Sequence, residues 1–144
     1  MVMKKYILIP VITLLILTAA LLTFAETPYY QPPKESDEEL VMDMFFSLLL
    51  PEIQQAVTHY YADSYYESPL VYPYQINILK MERTNGYRGF MFSVVIEVTP
   101  VFGAHNPIGR DQLTFSITPS EVELKKFKHL EDFELPEHLR DLKR

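Results

Sequence analysis

The chain has 144 residues, no cysteine, and 13 basic against 19 acidic side chains, for a formal charge of -6. Without cysteine there is no disulfide framework, thiolate nucleophile, thiolate metal site or lipid-modified cysteine. The acidic balance argues against nucleic acid, because binding phosphate backbones depends on clustered Lys and Arg.

Lys4 and Lys5 precede an uncharged apolar run from Tyr6 to Phe24 that ends in Thr23-Phe24-Ala25. A basic n-region, an apolar h-region and small residues three places before and at the cut site are what signal peptidase requires. Residues 1–25 are therefore expected to be a signal peptide, cleaved after Ala25. The run is also close to the roughly 20 residues that span a bilayer, so an uncleaved signal anchor is the other reading. Either way the rest of the chain is expected on the outer face of the cytoplasmic membrane or secreted, with membrane contact only through residues 4–25 if they are retained.

Residues 26–35 carry Pro28, Pro32 and Pro33 and read as a proline-rich linker. Ser36 then offers a helix cap, with Glu39 three residues on at capping-box spacing, and Asp37, Glu38 and Glu39 suit the positive end of a helix dipole. Leu40, Met44 and Leu48 recur at four-residue spacing beside Val41, Phe45 and Leu49, a wide stripe expected to be buried. Pro51 predicts a break or kink, after which Ile53, Val57, Tyr60 and Tyr61 continue a helical stripe to about Ala62.

From Tyr74 the apolar period becomes two. Tyr74, Ile76 and Ile78 alternate with polar residues, Asn85-Gly86 marks a turn, and Phe90 to Val98 alternate as the strongest strand signal. Leu113, Phe115 and Ile117 form the next run, and Pro119-Ser120 turns into Val122 and Leu124. Lys125, Lys126 and Lys128 make the densest basic cluster, flanked by acids, and read as a solvated strand face. The tail, residues 131–144, is polar, with Leu135, Leu139 and Leu142 predicting a short, weakly docked helix.

Helix followed by four strands predicts an α+β domain over residues 36–130, a kinked helix or helix pair packed on a four-stranded antiparallel meander. The architecture looks cystatin-like, or like a reduced nuclear-transport-factor-2-like (NTF2-like) cone. The Gln-x-Val-x-Gly hairpin by which cystatins block cysteine proteases is absent.

Leu50-Pro51 with Tyr60-Tyr61, the turn Gly103-Ala104-His105-Asn106-Pro107 and the strand Leu113-Thr114-Phe115 together resemble the uncharacterised domain-of-unknown-function family 3888. The resemblance spans roughly Asp43 to His129 and implies a small exported envelope protein of Gram-positive, spore-forming bacteria. It transfers no catalytic residue, because the family has no established activity.

Two chemistries remain open. The segment from Gly103 to Asp111 brings one imidazole, one guanidinium and one carboxylate into a tight connection, so His105 is a candidate acid/base or ligand, assisted by Asp111 or Arg110, with Asn106 beside it. The same glycines and Asn106-Pro107 also make an ordinary structural turn. Tyr60 and Tyr61 belong to a tyrosine-rich stretch suited to protein or glycan contacts, or to a half-buried rim. His59 and Asp63 share metal-pair spacing without a third ligand, and Asp43 sits among apolar neighbours as a possible buried carboxylate. No metal site, cofactor motif, nucleophile elbow or phosphate loop is recognised. The expectation is an exported binding module for an envelope protein or glycan, with an enzyme or metal-dependent site centred on His105 as the alternative.

Overall fold

The computed structural model describes residues 29–103 and 105–144; the export run and the first residues of the linker lie outside them. Helix α1 spans Asp37–Tyr61 as one unbroken element, with Pro51 inside it, so the expected helix pair is a single helix. Ser36 caps it: the Ser36 hydroxyl accepts from the Glu39 amide at 3.1 Å. The reciprocal half of the capping box is displaced by one residue, since the Glu39 carboxylate accepts from the amide of Glu35 at 2.6 Å.

Strands β1 (Ile76–Arg83), β2 (Phe92–Val98), β5 (Gly109–Ile117) and β6 (Val122–Asp132) form one antiparallel sheet in the order β1-β2-β5-β6. Between β2 and β5 the chain makes a two-stranded ribbon, β3 (Val101–Phe102) with β4 (Asn106–Pro107). The architecture is α+β, one helix followed by a four-stranded antiparallel sheet.

The inward face of the sheet is set by register. Ile76, Val98, Asp111 and His129 lie in one row, and Ile78, Ile96, Leu113 and Phe127 in the next. The β5–β6 ladder has two irregularities, at Lys125 and Leu130, extra residues with no opposite number on β5, and the one at Lys125 decides which side chains of β6 turn inward beyond Leu124. Each such bulge reverses the inside-outside alternation beyond it. Phe127 and His129 therefore join the core-facing rows, where simple alternation from Val122 and Leu124 would have sent Lys126 and Lys128.

α1 lies across this face and buries Phe46, Leu49, Ile53, Ala56, Val57 and Tyr61, spaced three and four apart along one side. Each large side chain so covered contributes about 1.5–3 kcal/mol. By length and composition alone α1 could cross a membrane, but Ile53 and Val57 are wholly covered by the sheet, as in a core helix. Beyond the helix, the Gln54 amide fixes the return loop, donating to the Pro69 carbonyl at 2.7 Å and accepting from the Val71 amide at 3.1 Å.

The tail is more firmly held than its polarity suggests. Its helix is a 3-10 segment, Glu137–Leu142, and Leu135, Leu139 and Leu142 pack against the core. Backbone bonds of 2.9 Å join Tyr66 N to Leu142 O and Arg144 N to Ser64 O.

Candidate functional site

The polar centre of the molecule lies where the end of α1 meets β5 and β6. Asp111 is completely buried, and a buried carboxylate demands partners. It has two. The Tyr61 hydroxyl donates to Asp111 Oδ2 at 3.0 Å, and His129 Nδ1 lies 2.7 Å from Asp111 Oδ1. His129 Nε2 lies 3.2 Å from Asp132 Oδ1, and the Tyr60 ring stacks on both Phe127 and His129, at 4.4 and 5.5 Å between centroids.

Burial pushes the Asp111 carboxyl above the usual carboxylate range, against the opposing pull of its bonds to His129 and Tyr61. Burial, with Asp111 close by, likewise raises the Tyr61 phenol far above its ordinary value. Gly109 belongs to the same cluster. A Cβ there would stand 2.7 Å from the Glu131 carbonyl, 2.9 Å from the Tyr61 hydroxyl and 3.1 Å from the His129 ring. Tyr61 and Asp111 thus occupy the protein interior, and Tyr60 lies at its rim. His129 is the partner that residue spacing did not reveal, since its inward position depends on the β6 bulge at Lys125.

His105 is elsewhere. At the tip of the β3–β4 ribbon it is exposed, in the left-handed region at φ 67°, and its Nδ1 lies 2.7 Å from the Tyr74 hydroxyl. Tyr72 stacks on Tyr74 at 5.5 Å and also faces the His105 ring. Asn106 donates to the Phe102 carbonyl at 3.1 Å, closing the turn. Arg110 pairs with Glu131 at 2.9 Å on the surface. The structure therefore separates His105 from Asp111: one bonds an exposed tyrosine, the other a buried tyrosine and a different histidine. His59, Asp63 and Asp43 are all exposed, so Asp43 is not the buried carboxylate its neighbours suggested.

The second notable surface corrects the expected core. Leu40, Val41, Met44 and Leu48 are 59, 64, 58 and 79 % exposed. At about 100° per residue, Met44 and Leu48 project from the side of α1 opposite Phe46 and Ile53. The first half of α1 thus carries two apolar stripes. One covers the sheet; Val41, Met44, Phe45 and Leu48, at i, i+3, i+4 and i+7, form the other, with only half-buried Phe45 reaching the core.

Beside this second stripe runs a groove of roughly 450 Å³. Val41 and Phe45 of α1 wall one side, Ile78 and Met81 of β1 the other, and Tyr30, Asp37 and Glu38 complete it. Tyr30 and its neighbour straddle the start of β1: Tyr29 donates to Glu97 Oε1 at 2.7 Å, and Glu97 pairs with Asn77 in the ladder. The signal for this groove was present in the sequence as excess apolar residues, more than one helix face can bury.

Among comparisons with known proteins, neither the curated proteins nor the solved structures gave a significant match. The model of a family described as a protein of unknown function, DUF3888, matches residues 41–131, from the exposed stripe of α1 to the end of β6. That match takes in all four strands of the sheet and well over half of the chain, and the protein belongs to the DUF3888 family.

Proposed function

We propose that this protein is a small exported binding module of the bacterial cell envelope, and that it binds through the groove between the first half of α1 and β1. The observation that carries this reading is the stripe of Val41, Met44 and Leu48, unpartnered among the described residues, on a helix whose opposite side already covers the sheet. Leaving such side chains in water forgoes about 1.5–3 kcal/mol for each that a partner would bury. The export part of the reading rests on Lys4 and Lys5 before the apolar run to Ala25, and the lack of cysteine in a chain so exported suits a bacterial envelope.

The separation of His105 from Asp111 favours binding over acid/base chemistry at the Gly103 to Asp111 segment. Among the described residues this exposed imidazole bonds a tyrosine hydroxyl and no orienting carboxylate of the kind that general-base catalysis uses. The test uses the neutral apolar dye Nile red with purified protein. Wild type is expected to enhance its fluorescence, and a Val41→Glu, Met44→Glu variant to lose that response at an unchanged thermal midpoint. An undiminished response in the variant would remove the groove from the account.

A further inference from the structure

We infer that the occupant of this groove is an apolar polypeptide segment preceded by basic residues, bound in extended form along the edge of β1. The inference deepens the reading given above and rests on it. Three features select the occupant.

The groove has a strand edge for one wall. β1 ends the sheet order, so among the described residues one side of its backbone has no ladder partner. Tyr29 and Tyr30 cross that edge near Asn77 and Ile78, which leaves Leu79 to Arg83, about 16 Å of strand, as a template. An extended peptide laid there gains main-chain hydrogen bonds and turns every second side chain into the groove. Leu79 is the extra residue of an irregularity in the β1–β2 ladder, and Met81, just beyond it, lines the groove.

The groove is also apolar on both walls, so the inserted side chains must be apolar. Its volume, roughly 450 Å³, suits a few aliphatic side chains rather than a folded domain.

Charge completes the selection. Asp37 and Glu38 line the groove, and among the described residues no basic side chain lines it. An acidic margin repels anionic lipid and attracts lysine or arginine flanking the apolar segment. A basic pair followed by an apolar run is the pattern of this chain's own Lys4-Lys5-Tyr6-Ile7-Leu8-Ile9, which supplies a probe.

The experiment measures anisotropy of two labelled hexapeptides against the purified protein. One has the sequence of residues 4–9, and the other replaces both lysines by serine. The basic peptide is expected to bind about fivefold tighter at low salt, with the gap closing at about 0.5 M salt. It should lose that advantage with the Asp37→Lys, Glu38→Lys variant, and binding should protect from exchange those amides of Leu79 to Arg83 that point away from β2. Equal binding of both peptides overturns the inference and leaves the groove reading standing. Failure of both to bind overturns the two together. A dimer in sizing that Val41→Glu dissolves also overturns the inference, since the occupant is then a second copy of the chain.

Discussion

Asp111 and His129 face each other across the β5–β6 ladder, His129 Nδ1 2.7 Å from Asp111 Oδ1, and the Tyr61 hydroxyl closes the pair from the helix side at 3.0 Å. This contact joins the end of α1 to the last two strands, so it fixes the helix on the sheet. Asp111→Ala removes the acceptor of the Tyr61 hydroxyl and the partner of His129 Nδ1. Among the described residues that leaves only the longer contact of 3.4 Å between those two groups and the exposed Asp132 on the far side of the ring. A loss of about 3 kcal/mol is expected in denaturant unfolding, as for other broken buried pairs. His129→Ala should cost a similar amount, and the double variant less than the sum, with a coupling of about 1–3 kcal/mol. Additive losses would show that the two side chains act independently.

The same carboxyl sets a pH dependence. Because burial raises the folded-state pKa of Asp111, the folded protein keeps a proton at pH values where the unfolded chain has released it. In that window the folded state binds more protons, so this group's stabilising contribution is full below about pH 4 and is lost as pH rises through the folded pKa. The stability of wild type minus that of Asp111→Asn should therefore be largest at the acid end and decline on going upward. A difference that grows with pH would mean that the fold favours the ionised form.

Gly109 is a packing requirement of this cluster. A methyl group there would meet the Glu131 carbonyl at 2.7 Å and the Tyr61 hydroxyl at 2.9 Å. Backbone cannot give way as a flexible side chain can, so Gly109→Ala should cost about 1–3 kcal/mol of unfolding free energy. Gly86, whose added Cβ would meet nothing within 4 Å but which sits at φ 87°, tests strain alone. Gly86→Asn should be tolerated better than Gly86→Val, because Asn adopts the left-handed region more readily.

The two stripes of α1 should separate cleanly under mutation. Leu48→Ser removes a side chain that is 79 % exposed and should change stability by less than about 0.5 kcal/mol. Ile53→Ala, at a completely buried position, should cost about 2–5 kcal/mol. Comparable losses at both sites would mean that Leu48 is covered in solution.

Much of the fold was legible because local chemistry and global packing agree. Ser36 capped the helix where predicted, and the alternation through Val94, Ile96 and Val98 gave the central strand its core face. The helix faces were not legible. Residues 40–50 are apolar on nearly every side, so periodicity could not tell the buried Phe46 and Leu49 from the exposed Met44 and Leu48. Pro51 did not divide the helix, although a proline removes an internal hydrogen bond. The Asp111–His129 pair escaped for another reason. One extra residue on β6, Lys125, reverses the alternation before His129, and nothing in that lysine announces a bulge. The Gly103 to Asp111 segment is the tight connection that its glycines and Asn106-Pro107 predict, yet its two ends point their polar groups to different places.

The central claim is that the first half of α1 is a binding surface, and a photo-crosslinking residue introduced at position 44 in producing cells tests it most directly. The same residue at position 126, on the exposed side of β6 away from the helix, serves as the reference. The account predicts a discrete adduct from position 44 that Val41→Glu abolishes, and none from position 126. No adduct at position 44, or equal adducts at both positions, would contradict it.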